Sequence, residues 1–154
     1  QERMNFRVMR RWQEIEANEV RYKEYYMEDA RFVVIGFGST GRVALSAVRA
    51  ARAEGIPVGL IRPVTLNPFP TKAIAQAAQQ AEVMLVVEMN NGQMLEDVML
   101  AADGNAMVEF YGRMGGVFML PEEVLSEIRR IAAGGLSTEG HPRDRWLNRS
   151  AQKK

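Results

Sequence analysis

From Arg31 onward, apolar and polar positions fall into two registers. Phe32 to Gly36 and Val83 to Val87 are unbroken apolar runs, as expected of strands buried on both faces. Val58 to Ile61 and Ala106 to Tyr111 read as two further strands. Between them the spacing becomes helical. Gly41 to Glu54 sets Val43, Ala44, Ala47, Val48 and Ala51 on one face and stops at Gly55. Thr71 to Ala81 is an Ala- and Gln-rich helix carrying Ile74, and Gln93 to Ala102 is a third helix, ended near Gly104. Pro121 opens a last helix with Glu122 and Glu123 in its first turn and Arg129 and Arg130 in its last, as the helix dipole favours. Its core face is Val124, Leu125, Ile128 and Ile131. Four strands alternating with helices predict an α/β fold: three layers, α/β/α, around a mostly parallel sheet with right-handed connections.

Both ends depart from this pattern. Met4, Val8, Trp12 and Ile15 recur at helical spacing among arginines and glutamates, which predicts an amphipathic arm over about 4–19 whose stripe needs a surface to cover. The interspersed glutamates favour a docked or solvated helix over a membrane-bound one. Val20 to Asp29, rich in Tyr and charge, reads as a connector. From Gly134 the chain carries Arg143, Arg145, Arg149, Lys153 and Lys154 with few acids, which predicts a flexible tail that drapes over a partner or stays disordered. The expected division is 1–28 for the N-terminal helix and connector, 29–133 for the α/β domain, and 134–154 for the basic tail. Because the chain opens with Gln1 inside a helical pattern, a piece of a longer polypeptide is expected.

Composition narrows the chemistry. Of 154 residues, 47% are hydrophobic and 25% charged, which is a globular balance. Lys and Arg total 20 against 19 for Asp and Glu, so no global field draws nucleic acid or an anionic membrane. No apolar run approaches the roughly 20 residues of a membrane helix, and no secretory signal opens the chain, so a cytoplasmic location is expected. Cysteine is absent, which excludes disulfides, Cys-ligated clusters and Cys-type zinc sites within the chain. The one histidine, His141, lies in the polar tail, so a Ser-His-Asp triad or a His-rich metal cage has no source.

Two stretches compete for the functional reading. Gly36-Phe37-Gly38-Ser39-Thr40-Gly41 follows a strand and opens a helix, the context in which such glycines bind a pyrophosphate. On that reading Gly36, Gly38, Ser39, Thr40 and Gly41 form a phosphate loop and Arg62 meets the phosphate of an NADP. The other reading is packing: glycines permit a sharp turn and close approach of helix to sheet. Arg62-Pro63, standing where an NAD enzyme carries a ribose-binding carboxylate, and the three prolines Pro63, Pro68 and Pro70 weigh against the dinucleotide. No Gly-Lys-Ser/Thr follows, so a Walker loop is excluded. Further along, Glu88 ends an inner strand and is followed by Asn90, Asn91, Gly92 and Gln93. Glu88 is either a polar anchor across a subunit contact, or a local acceptor for backbone groups at the next helix start.

Several blocks together resemble one family. They are Ala30 to Val43 with the glycine turn, Gly59 to Pro70 with Arg62-Pro63-Val64-Thr65-Leu66-Asn67-Pro68-Phe69-Pro70, Val86 to Met94 with Glu88-Met89-Asn90-Asn91-Gly92-Gln93, and Gly115-Gly116 followed by Pro121-Glu122-Glu123-Val124-Leu125. The resemblance is to the C-terminal, transketolase-C-terminal-like domain of the α subunit of 2-oxoacid:ferredoxin oxidoreductases of the pyruvate and 2-ketoisovalerate kind, and it covers about Asp29 to Ile131. Leu120 stands where the family more often has a capping Thr, and Asn67 where an aromatic is common. The resemblance implies an enzyme that oxidatively decarboxylates a 2-oxoacid to an acyl-CoA with thiamine diphosphate, Mg2+ and CoA, passing electrons through iron–sulfur clusters to ferredoxin. This chain has no cysteines and no Gly-Asp-Gly with a downstream Asn, so those groups are expected in other domains or subunits, and no catalytic, cofactor-binding or metal-ligating residue is assigned here. The expected role is support of a dimeric or larger assembly. Its contact surface would be three loops at one sheet edge, carrying Arg62, Pro63, Pro68, Phe69 and Pro70, then Glu88, Asn90 and Gln93, then Arg113, Gly115 and Gly116.

Overall fold

The computed structural model describes residues 1–151. In chain order the elements are α1 (Glu2–Glu19), β1 (Tyr22–Tyr25), β2 (Phe32–Gly36), α2 (Gly38–Ala53), β3 (Val58–Pro63), α3 (Thr71–Ala78), β4 (Val83–Glu88), α4 (Gln93–Ala102), β5 (Met107–Gly112), α5 (Pro121–Ala132) and α6 (Pro142–Ala151). One sheet of order β1-β3-β2-β4-β5 holds all five strands. β3, β2, β4 and β5 are parallel, while β1 joins the outer side of β3 antiparallel, with Tyr22 opposite Pro63 and Tyr25 opposite Leu60.

The apolar runs become central strands because their two faces enter two separate cores. Val33, Ile35, Met84 and Val86 face a layer formed by α3, α4 and α6. Phe32, Val34, Val83, Leu85 and Val87 face α2 and α5. This is the expected three-layer α/β/α arrangement.

Two expectations are corrected. The segment read as a connector contains β1, an edge strand whose residues are exposed except for half-buried Tyr25 and which pairs through its backbone with β3. The segment read as a flexible tail contains α6 from Pro142, with Trp146 buried and stacked edge-on against Phe110 at 5.2 Å. Its arginines turn inward to this chain's own carboxylates, which is why a basic segment docks here without a partner. Lys153 and Lys154, read as part of that tail, lie outside the described residues. α1 forms as expected, but its stripe stays uncovered: Met4 and Val8 are each 60% exposed and Trp12 is 38% exposed. Among the described residues no helix is long and apolar enough to cross a membrane.

Candidate functional site

The carboxyl ends of the parallel strands deliver their loops to one edge. α2, which follows β2, lies on one face of the sheet, and α4, which follows β4, lies on the other. The chain therefore parts between β2 and β4, the point at which open α/β sheets leave a crevice. A cavity of about 160 Å3 sits there, lined in part by Phe37, Thr40, Leu66, Glu88, Asn90 and Gln93. That is well below the roughly 300–1,000 Å3 of small-molecule sites.

Glu88, Asn90 and Thr40, three of the polar groups around this crevice, bond locally. Glu88, only 5% exposed, accepts hydrogen bonds from the backbone N–H groups of Met94 (3.0 Å) and Leu95 (2.9 Å), so its carboxylate caps α4. Asn90 Oδ1 accepts from the N–H groups of Gly92 (2.7 Å) and Gln93 (3.1 Å), closing the turn before the same helix. Gln93 is exposed at the first position of α4. Thr40 donates its hydroxyl to the carbonyl of Phe37 at 2.6 Å.

The glycine-rich turn is a close-packing device. α2 begins at Gly38, whose φ of +59° suits glycine. A Cβ on Gly41 would stand 2.5 Å from the carbonyl oxygen of Gly36 and 2.8 Å from Cγ of Arg62. Gly36 and Gly41 thus let helix and strand meet, with the aliphatic stem of Arg62 laid over the turn and its Nη2 3.5 Å from the Gly38 carbonyl. Ser39 alone of the five loop residues offers an exposed hydroxyl. Beyond β3, Pro63, Pro68 and Pro70 are buried, the Asn67–Pro68 bond is cis, and Phe69 packs on the α3/α4/α6 core. Phe69 and Pro70 also line a cavity of about 540 Å3 shared with Gln13, Glu16 and Ala17 of α1, while Leu66 of the same loop lines the crevice beside Glu88.

The third loop leaves β5. The Arg113 N–H donates to the Glu88 carbonyl at 3.0 Å, tying it to the second. The Arg113 side chain pairs with Glu123, whose other oxygen accepts from the N–H of Leu120 at 2.8 Å. Glu123 thereby caps the start of α5 where Leu120 has no capping side chain. Gly115 and Gly116, at φ of +70° and +79°, carry the loop outward with open space around them.

A buried ionic cluster lies beside this loop, and the sequence reading did not assemble it. Glu109, with no exposure, receives Arg145 Nε at 2.8 Å on one oxygen, and Arg130 Nη2 at 2.6 Å and Arg149 Nη1 at 3.1 Å on the other. Glu127 accepts from Arg130 Nε at 2.9 Å. Burial, and then the neighbouring Arg130 charge, push the Arg149 pKa down, while burial pushes the Tyr111 phenol up. Arg145 and Arg149 also donate to the carbonyls of Val108 and Phe110, so α6 covers the free edge of β5. The available signal was Glu109 itself, a carboxylate inside an otherwise apolar strand.

Large apolar side chains are exposed on all four loops of this edge. Phe37 after β2, Val64 and Leu66 after β3, Met89 after β4, and Met114, Val117, Phe118 and Leu120 after β5 are all exposed, Phe118 by 79%.

Comparison with known proteins converges on one group. Residues 30–124 match the family described as pyruvate:ferredoxin oxidoreductase core domain II. The chain is 46% identical over 131 residues to the ketoisovalerate oxidoreductase subunit VorB of Methanothermobacter marburgensis, covering 85% of this chain and 37% of that protein. It is 41% identical over 103 residues to the 2-oxoglutarate synthase subunit KorA of the same organism, covering 67% and 28%. The chain thus spans between 28% and 37% of the length of these curated relatives. In fold it is similar to the 2-oxoglutarate:ferredoxin oxidoreductase of Magnetococcus marinus (TM-score 0.65, 23% identity, 73% of this chain and 20% of that one). It is likewise similar to a split-gene transketolase (TM-score 0.62, 15% identity, 73% and 41%). With the match reaching from the strand before the glycine turn into α5, the chain belongs to the pyruvate:ferredoxin oxidoreductase core domain II family.

Proposed function

We propose that this chain is the non-catalytic C-terminal domain of the α subunit of a 2-oxoacid:ferredoxin oxidoreductase, and that it supports assembly of the enzyme. The enzyme would oxidatively decarboxylate a 2-oxoacid of the pyruvate or 2-ketoisovalerate class to an acyl-CoA, with CoA as co-substrate and ferredoxin as electron acceptor. One observation carries the reading: four loops of the sheet's carboxyl edge present eight large apolar side chains to solvent, the character of a face that another domain covers. Arg62, Pro63, Pro68, Phe69 and Pro70 stiffen the first of the three contact loops, Glu88, Asn90 and Gln93 set the second, and Arg113, Gly115 and Gly116 carry the third outward.

The residues present do not fit the family's cofactors. The sequence has no cysteine for a cluster, and among the described residues no group of three His, Asp or Glu is placed to hold a metal. On this reading thiamine diphosphate, Mg2+ and the iron–sulfur clusters sit in other domains or subunits of the enzyme. The NADP-binding alternative gains nothing from the glycine turn, where Thr40 bonds its own helix and Arg62 lies along Gly41.

The test uses the complete enzyme. Phe118→Asp in the full-length α subunit, co-produced with its partner subunits, should abolish co-elution in size-exclusion chromatography and CoA-dependent reduction of ferredoxin by a 2-oxoacid. The same change in the present chain should move stability by less than about 0.5 kcal/mol, because Phe118 packs on little. An intact, fully active complex carrying Phe118→Asp would sink the proposal.

A further inference from the structure

We propose that α1 pairs with the α1 of a second copy of this chain, antiparallel about a two-fold axis, and that the cavity beside its last turns receives the first turns of that second helix. The helix needs a covering surface. It runs for 18 residues with none of them buried. Met4, Phe6, Val8, Met9 and Trp12 are 38–60% exposed. A helix in water draws most of its stability from packing of its apolar face, which α1 does not obtain within the chain.

Its charges select the occupant. Arg3, Arg7, Arg10 and Arg11 fill the first half of α1 against Glu2, while Glu14, Glu16 and Glu19 fill the second half with no Lys or Arg among them. The helix dipole favours the opposite order, so this one costs stability in a lone helix. Nothing within the chain relieves it: among the described residues the one ion pair of α1 joins Glu19 to Arg21. A second α1 laid antiparallel sets its arginines beside these glutamates and its dipole against this one. A parallel copy would set like charges side by side. At about 3.6 residues per turn, Arg7, Arg11 and Glu14 border the same side of the stripe of Met4, Val8 and Trp12, and a two-fold axis brings like side to like side. The far end supplies an independent fit. The cavity of about 540 Å3 where α1 ends has Ala17, Val20, Tyr22, Phe69 and Pro70 in its wall, with Glu16 beside them. Antiparallel pairing brings to it the first two turns of the second copy, apolar at Met4 and Phe6 and basic at Arg3 and Arg7. Two helices about 27 Å long bury an area at the low end for specific complexes, so the dimer should be weak and concentration-dependent.

The inference does not rest on the role of the apolar edge around Phe118. Sedimentation velocity on the full chain, over a range of concentrations, should show monomer and dimer in exchange. Arg7→Glu with Arg11→Glu, and separately Glu14→Arg with Glu16→Arg, should each weaken the dimer roughly tenfold or more, and mixing the two variants should restore it. Glutamates in the first half of α1 suit the helix dipole, so loss of the dimer in the first variant does not reflect a melted helix. Val8→Asp should leave monomer only, whereas Phe118→Asp should change nothing, which separates this contact from the edge. Because the chain has no cysteine, single ones report orientation. Asn5→Cys mixed with Asn18→Cys should couple through a short bismaleimide, and Asn5→Cys alone should not. A chain that stays monomeric at every concentration, or that associates only with a partner subunit, overturns the proposal. So do a dimer indifferent to both charge variants, a dimer lost in Phe118→Asp, and coupling of Asn5→Cys to itself.

Discussion

Replacing Glu88 separates a local role from an interfacial one. Its two oxygens hold the N–H groups of Met94 and Leu95, residues that are themselves almost fully buried. Glu88→Ala strands both donors without water. Each lost charge-assisted bond costs about 1.5–3 kcal/mol, and removing the negative charge from the α4 start adds about 0.5 kcal/mol. The sum is about 3.5–6.5 kcal/mol, a large share of the roughly 5–15 kcal/mol that stabilises a domain. With a slope of about 2 kcal/mol per molar urea, the unfolding midpoint should fall by about 1.8–3.3 M. Glu88→Gln keeps one acceptor but turns an NH2 toward the other N–H, so about half of that loss should remain. Amide hydrogen exchange supplies the local readout: Met94 and Leu95 should lose protection in the Ala variant before the strand amides do. An unchanged midpoint with both amides still protected would refute the capping argument. If that variant also failed to join its partner subunits, Glu88 would be an anchor between chains instead.

Three further outcomes follow from the packing and charges. Gly41→Ala should destabilise the chain by about 1–3 kcal/mol in urea denaturation, since the new methyl meets the Gly36 carbonyl and the Arg62 stem and the strand cannot yield. Trp146→Ala should cost about 3–5 kcal/mol and admit protease in the 134–141 segment, because α6 loses its edge-on contact with Phe110. The Glu54 and Glu82 carboxyls are held below their ordinary value of 4.5 by hydrogen bonds from Arg129 and Arg31. A depressed carboxyl contributes stability that is fully present above its unfolded value and is lost as pH falls through the folded one. Acid melting should therefore steepen below about pH 4.5, and Arg31→Gln with Arg129→Gln should flatten that part of the profile; both pairs are exposed, so the effect should be small and shrink with salt.

What the sequence disclosed, and what it hid, follows from which force sets each element. β2 and β4 were legible because burial on both faces demands an unbroken apolar run, and no other use of Phe32–Gly36 or Val83–Glu88 accounts for it. β1 was hidden because Tyr22-Lys23-Glu24-Tyr25 is ordered by backbone pairing along an edge, which leaves its side chains free to be polar. α6 was hidden for a related reason. Its anchor is one tryptophan, and the rest of its attachment is guanidinium to carboxylate, with partners 36 and 40 positions back at Glu109. A basic run with few acids nearby looks solvated when only neighbours in sequence are weighed. The acids that answer it stand in α4, β5 and α5, brought close only by the completed sheet. At the candidate site the division is the same. Proline stiffness and the position of Glu88 at a strand end were readable one residue at a time, whereas the pairing of Arg113 with Glu123 arises between elements. The apolar face of the carboxyl edge falls between these cases: each loop contributes only one to four exposed hydrophobics, an unremarkable number alone, and it is the shared direction of four parallel strands that gathers them into one surface.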